Sequence, residues 1–199
     1  MAESIFMDPS LHLRPAAPDD AEVLCELINI AGEGLPLYVW EHMAEEGESA
    51  WAFGRRRARR EEGDFSYRNA TIAEIEGETA ACMIGYPIAD RPEDIDTGTM
   101  PAIFVPLKEL ENLAAGSWYT DILSVYPQYR GRGLGTGLLE VAAARAGELG
   151  RKRLSLVITD ANTRARRLYE RCGYVERARR EMVKEDWENP SRDWVLLVK

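Results

Sequence analysis

Hydrophobic and polar positions along the chain switch between two periods, and the switches mark out the elements. Leu11-His-Leu-Arg-Pro15 alternates as a short strand and stops at proline. Pro18 and Asp19 suit the first turn of a helix whose apolar face is Ala21, Leu24, Cys25, Ile28 and Ala31. Gly32-Glu-Gly-Leu-Pro36 breaks that helix, and a second is predicted over residues 37–46 with Tyr38, Trp40 and His42. Residues 49–62 read as a third, in which Trp51, Ala52 and Phe53 precede Arg55, Arg56, Arg57, Arg59 and Arg60. Glu61 and Glu62 beside those arginines favour a solvated face over a phosphate grip. Two strands, 69–76 and 79–88, are predicted to join at Gly77-Glu78 in a short hairpin. Residues 90–101 read as an exposed loop, and 106–115 as a short helix packed by Leu107, Leu110 and Leu113.

Trp118–Val125 is rich in β-branched and aromatic residues and reads as a strand. A glycine-rich loop follows it, then a helix starting at about Gly133 with Leu134, Leu138, Val141, Ala142 and Leu149 at helical spacing. Residues 153–159 form a nearly continuous apolar run, as a buried parallel strand does. Residues 162–172 predict a helix ended by Gly173, and the alternating tail closes on a strand over 194–198. The fold class is α/β: a mixed central sheet flanked by helices. No repeat or linker divides the chain, so residues 1–199 are expected to form a single domain, with 1–10 flexible.

The loop carries the first candidate chemistry. In Val125-Tyr-Pro-Gln-Tyr-Arg-Gly-Arg-Gly-Leu-Gly-Thr-Gly137, glycines let backbone N–H groups turn inward with no Cβ in the way. The unpaired amides of the following helix and the positive end of its dipole make an anion site. Arg130 and Arg132 add full charges, so a phosphate is the ligand that fits. No Gly-Lys-Ser/Thr closes the loop as a P-loop would, and the third glycine of a dinucleotide fingerprint is replaced by Leu138.

Composition narrows the setting. A net charge of −9 over 199 residues argues against non-specific nucleic-acid binding, which needs a basic face. No apolar run approaches a membrane span, and the N-terminus lacks the basic and apolar regions of a signal peptide. Cys25, Cys82 and Cys172 contain no CxxC pair and read as small hydrophobes in a reduced compartment. His12 and His42 alone do not make a zinc site. A cytoplasmic protein with no metal is expected.

Gln128-Tyr-Arg-Gly-Arg-Gly-Leu-Gly135 resembles the pyrophosphate-binding loop of the GNAT family, the Gcn5-related N-acetyltransferases, with pattern Q/R-x-x-G-x-G/A. It matches in two overlapping frames, Gln128/Gly131/Gly133 and Arg130/Gly133/Gly135. A second segment, Asp160-Ala-Asn-Thr-Arg-Ala-Arg-Arg-Leu-Tyr-Glu-Arg-Cys-Gly-Tyr174, resembles the family's N-x-x-A-x-x-L-Y-E-x-x-G-F. The matches there are Asn162, Ala165, Leu168, Tyr169, Glu170 and Gly173, with Tyr174 in place of Phe. The resemblance is clearest over residues 118–175.

The resemblance implies a sheet whose parallel strands splay to hold acyl-CoA, and acetyl-CoA as co-substrate. It implies cofactor contacts at Leu123, Ser124, Val125, Arg130, Gly131, Arg132, Gly133, Leu134, Gly135, Thr136, Asn162 and Tyr169. A backbone N–H of Leu123 or Val125 would polarise the acetyl carbonyl. Tyr169 would be the general acid at the leaving thiolate, although its helical face, shared with Ala165, Leu168 and Cys172, reads by itself as core. Asn162 caps its helix on the residues alone, and the resemblance adds a contact with the coenzyme A arm. The general base is Asp121, Glu33 or a water chain. Alternation places Asp121 with Leu123 and Val125 on a face a core would claim, and Glu33 reads equally as a plain loop carboxylate. Tyr38, Trp40, Trp51 and Tyr119 line an acceptor pocket or fill the core. The expected reaction moves an acetyl group directly to a primary amine of a small molecule. Acetylation of a protein or peptide amine, or a non-catalytic acyl-CoA sensor, are the alternatives. A homodimer is a family-level expectation.

Overall fold

The computed structural model describes residues 10–199. Its strands are β1 (Leu11–Pro15), β2 (Ala70–Ile75), β3 (Glu78–Pro87), β4 (Trp118–Val125), β5 (Leu154–Thr159), β6 (Val175–Glu181) and β7 (Asp193–Val198). Its α-helices are α1 (Ala21–Ala31), α2 (Leu35–Met43), α3 (Ala50–Ala58), α4 (Val105–Leu113), α5 (Leu134–Glu148) and α6 (Thr163–Arg171). The seven strands form one mixed sheet in the order β1-β2-β3-β4-β5-β7-β6. The expectation of flexibility falls on residues 1–10, and 1–9 of these lie outside the described residues. The chain divides into two compact units, one holding the described residues up to Gly85 with Ile122–Glu140, the other Tyr86–Asp121 with Val141–Lys199.

In the first unit, β1, β2 and β3 make an antiparallel meander whose buried Ile72, Ala73, Ile75, Ala81, Met83 and Ile84 supply the apolar wall. The β2–β3 turn is Glu76-Gly77, one residue earlier than expected, because Ile75 pairs with Glu78 and leaves a two-residue loop. A type I′ turn, whose twist matches that of the strands, needs φ positive at both positions; Glu76 has φ 54 and Gly77 φ 83. A 3-10 turn at Pro18–Asp20 leads into α1, which buries Ala21, Leu24, Cys25, Leu27 and Ile28. Leu27 therefore joins the predicted face, and Ala31 is only half-buried. α2 begins at Leu35, earlier than its hydrophobic period indicates, because Gly34 (φ 89) turns the chain so that Pro36 falls in the first turn. There the missing proline N–H costs nothing.

α3 is capped by Ser49, which accepts the Ala52 N–H at 3.2 Å. The arginines on it are engaged by the protein itself: Arg56 reaches Glu48 at 2.8 Å, Arg55 reaches Glu22 at 3.6 Å, and Arg57 lies 5.1 Å over the Phe65 ring. Gly54 of α3 meets Trp40 of α2 so closely that an added Cβ would sit 2.7 Å from the indole. Trp40 is buried and stacked edge-on against Trp51 at 5.9 Å, so it cannot retreat. Gly54→Ala is expected to destabilise the protein by about 1–3 kcal/mol, the scale of overpacking, although alanine is the better helix former. A denaturant midpoint above wild type would show that the indole yields.

Arg14 of β1 binds both carboxylate oxygens of Asp20 at 2.8 Å and Glu74 Oε1 at 2.7 Å. Its hydrogen bonds hold both carboxyls below their usual range, against the opposing effect of burial. Groups depressed on folding stabilise above their unfolded values and lose that contribution as pH falls through the folded ones. Arg14→Ala should therefore cost stability at pH 7 and less at about pH 3, as falling pH begins to protonate the carboxylates. Urea melts at both pH values check this; an equal loss at each would mean that the arginine acts through packing.

In the second unit, β4 and β5 run parallel and pair at Trp118↔Leu154 and Tyr119↔Ser155. β7 lies antiparallel between β5 and β6, with Val195, Leu196 and Leu197 buried. The Ser117 and Ser155 hydroxyls satisfy one another at 2.6 Å in the interior. α4 buries Pro106 and Leu110, while Leu113, predicted to pack, is 53% exposed at the helix end. Leu149 is likewise 56% exposed, because α5 stops at Glu148 before the period can bring it inward. The buried residues of α5 are Leu134, Leu138 and Leu139, which belong to the first unit, and Ala142 and Ala146 of the second.

Candidate active site

Alternation along β4 divides its side chains into two faces. Thr120, Ile122 and Ser124 are buried, whereas Asp121, Leu123 and Val125 are half-buried. The face that the aliphatics Leu123 and Val125 suggested as core is thus the more open one. The polar Thr120 and Ser124 take the interior, where their hydroxyls have no hydrogen-bond partner.

In the first unit, β4 leads through Tyr126 into a 3-10 turn at Pro127–Tyr129. Tyr126 anchors the strand end twice: its N–H donates to Ala80 O at 2.9 Å and its phenol to Glu26 Oε2 of α1 at 2.5 Å. Burial and then the neighbouring Glu26 carboxylate raise the phenol's pKa, so it stays a donor. Arg130 folds back to give its Nε proton to Val125 O at 3.0 Å, and the Arg132 guanidinium lies 5.7 Å over the Tyr129 ring. Gly131 and Gly133 have φ 82 and φ 83, and no atom lies within 4 Å of a Cβ built on either. The left-handed conformation needs glycine, and the space above each is open.

α5 then starts at Leu134, whose buried side chain pins the turn. Gly137 N–H bonds to Gly133 O at 3.0 Å. The amides of Leu134, Gly135 and Thr136 precede that bond and, as a first helical turn, have no intrahelical acceptor. An open cradle at two glycines, first-turn amides and two flanking arginines fit a diphosphate in charge and shape. Glu33, between α1 and α2, is half-buried with φ 52.

In the second unit, Asn162 caps α6, its Oδ1 accepting the Ala165 N–H at 3.1 Å. Tyr169 is 6% exposed, and its ring meets Tyr174 edge-on at 5.8 Å. Burial is the main cause that pushes its phenol pKa up, leaving it protonated at neutral pH. Asp121 accepts a hydrogen bond from the Tyr86 phenol at 3.2 Å. Of the four aromatics considered for an acceptor wall, Trp40 and Tyr119 are buried, while Tyr38 and Trp51 are half-buried. Sequence reasoning missed Tyr86, Tyr126 and Glu26. Tyr86 and Glu26 become notable only through partners 35 and 100 residues away, and no local pattern announces that. Among the described residues no group of three His, Cys, Asp or Glu side chains is placed to hold a metal ion, and no single helix is long and apolar enough to cross a membrane.

The strand, glycine loop and helix are those of an acyltransferase fold, and comparison agrees. Residues 36–174 match the profile of the acetyltransferase (GNAT) family. The chain belongs to that family. No curated protein sequence matches it significantly. Among solved structures it is similar to the apo form of an agmatine N-acetyltransferase variant, at 21% identity and a TM-score of 0.68 over 96% of this chain and 99% of that one. It is similar to a mosquito arylalkylamine N-acetyltransferase (like 5b) at 21% identity and TM-score 0.65, with the same coverage of 96% and 99%. A GNAT family acetyltransferase from Elizabethkingia anophelis with acetyl-CoA bound matches at 14% identity and TM-score 0.59, over 96% of this chain and 98% of that one.

Proposed function

We propose that this protein moves an acetyl group from acetyl-CoA directly to a primary amine of a small molecule. The observation that carries the reading is the open cradle at Gly131 and Gly133, with the first-turn amides of α5 behind it. The agmatine and arylalkylamine N-acetyltransferases that share the fold are named for small amines, a precedent for that acceptor class.

Acetyl-CoA, when bound, supplies the acyl group as an activated thioester. Transfer to a neutral amine forms a C–N bond and breaks the C–S bond, so nitrogen loses one proton and sulfur gains one; an acceptor that arrives as an ammonium ion first releases a further proton to solvent. The loop amides and Arg132 hold the diphosphate and fix the position of the thioester, which converts the reaction into one between positioned groups. The N–H of Leu123 or Val125 of β4 polarises the carbonyl. Asn162 holds the pantetheine arm while capping α6. Tyr169 donates a hydrogen bond from its phenol to the charge that builds on sulfur. A phenol of raised pKa is a weaker acid than a thiol of about 8.5, so its contribution is a strengthening hydrogen bond rather than early proton transfer. Asp121 or Glu33, or a water held by either, takes the proton from nitrogen.

The test is acetyl-CoA-dependent thiol release across polyamines, amino acids, aminosugars, aminoglycosides, arylalkylamines and peptides. Turnover on one small-amine class supports the reading. Turnover on peptides alone replaces it with protein acetylation, and silence with acetyl-CoA still bound replaces it with an acyl-CoA sensor.

A further inference from the structure

The second unit contains a polar pair that the roles above leave unexplained. Tyr86, near the end of β3, donates its phenolic proton to Asp121 Oδ2 at 3.2 Å. The two side chains are half-buried, neither sealed in the core nor fully in solvent. Tyr119, two residues before Asp121 and so on the same face of β4, is buried and packs its ring against Tyr86 at 5.9 Å with planes tilted by 60°. Nearby, the Ile88 N–H bonds to Ser117 O at 3.1 Å, which holds the ends of the two strands side by side. The Tyr86 ring is therefore fixed by a buried neighbour, and its hydroxyl by the carboxylate. The parallel β4–β5 register closes at Tyr119↔Ser155, so Asp121 stands just beyond the last paired position.

This arrangement suits one ligand chemistry. A half-buried carboxylate whose orientation is fixed by a phenol attracts a cation through charge and charge-assisted hydrogen bonds. A neutral hydroxyl or a carboxylate gains nothing comparable. A surface carboxylate that merely confers solubility needs no phenol to orient it, whereas one that must meet an ammonium at a set angle does.

We infer that Tyr86 is a positioning residue that orients Asp121 to receive the positively charged primary amine of the acceptor. The inference rests on the amine-acetylating reading above and narrows it to acceptors that arrive as ammonium ions. It separates Tyr86 from the carboxylate's own possible duty as base: Tyr86 touches Asp121 and acts through it.

The experiment is steady-state kinetics at saturating acetyl-CoA with the amine that wild type acetylates best, for Tyr86→Phe, Asp121→Asn and the double variant. Binding of acetyl-CoA is followed separately by calorimetry. Tyr86→Phe keeps the ring and its packing on Tyr119, so it should raise KM for the amine about 10-fold with kcat within about threefold, the scale of one hydrogen bond to a charged group. Asp121→Asn should raise KM further, and Tyr86→Phe should add nothing in its presence, because a phenol that works only by orienting the carboxylate has no remaining role. Affinity for acetyl-CoA should be unchanged in all three. An unchanged KM in Tyr86→Phe, or effects that multiply in the double variant, overturns the inference while leaving the acetyltransferase reading standing. A wild type that acetylates no amine overturns both.

Discussion

Replacing Gly133 with glutamate is expected to weaken acetyl-CoA binding by about 100-fold or more, the cost of losing one or two charge-assisted hydrogen bonds. Three features combine at this position. The backbone is left-handed at φ 83, the space above it is open, and the amides of the first turn of α5 follow directly. A glutamate would place carbon and negative charge where the anion belongs, and its carboxylate would compete for the same amides. The fold should survive, because Gly133 is exposed and the conformational strain on a non-glycine residue is about 1–2 kcal/mol. Calorimetric titration with acetyl-CoA, alongside a thermal melt, separates lost binding from lost structure. Gly133→Ala grades the effect: it brings the strain and a methyl group without the charge, so it should bind with intermediate affinity. Wild-type affinity in Gly133→Glu would remove the loop from the mechanism.

Tyr169→Phe is expected to lower kcat by about 10- to 100-fold, at or below the low end of general acid catalysis, with acetyl-CoA affinity within about twofold. The substitution deletes a single oxygen. The ring keeps its edge contact with Tyr174 at 5.8 Å and its buried place on α6, so packing is conserved. The modest size of the effect follows from the direction of the pKa shift. Burial makes the phenol reluctant to ionise, so it stabilises charge on sulfur by donating a hydrogen bond that grows as the C–S bond lengthens. Unchanged kcat would return Tyr169 to the core, where its helical face first placed it.

Strand and helix positions were legible because period and punctuation agreed. β1 and β4 fall on their predicted ends, and Asn162 caps the helix that Gly173 terminates. The misreadings have a common physical source: periodicity reports neighbours along the chain, whereas burial depends on where the chain stops and what covers it. Leu113 and Leu149 continue an apolar period past the last turn that has anything to pack against. On β4 the rule that aliphatics face inward holds for Ile122 but not for Leu123 and Val125, which lie on the more open face while Thr120 and Ser124 are buried. The glycine loop was readable because its chemistry is local, within a dozen residues. Tyr86 with Asp121, and Tyr126 with Glu26, were not, because strand register and helix docking bring them together.

The two ends of the sheet bear on how the protein behaves in a concentrated solution. An outermost strand presents unpaired backbone groups that a second chain can extend, the first step toward fibrils and amorphous precipitate. Here β1 is a five-residue strand closed by Pro15 and occupied by Arg14, and β6 alternates exposed and half-buried positions carrying Glu176, Arg177, Arg179, Arg180 and Glu181. Glu176 is bound by Arg166 and Arg179, chiefly Arg179, and its pKa is lowered to about 2, so it stays charged through mild acid. A stranger strand docking on β6 would have to strip water from these charges. Both borders are thereby closed to growth, and the protein should tolerate crowding and storage at high concentration better than the length of its sheet would suggest.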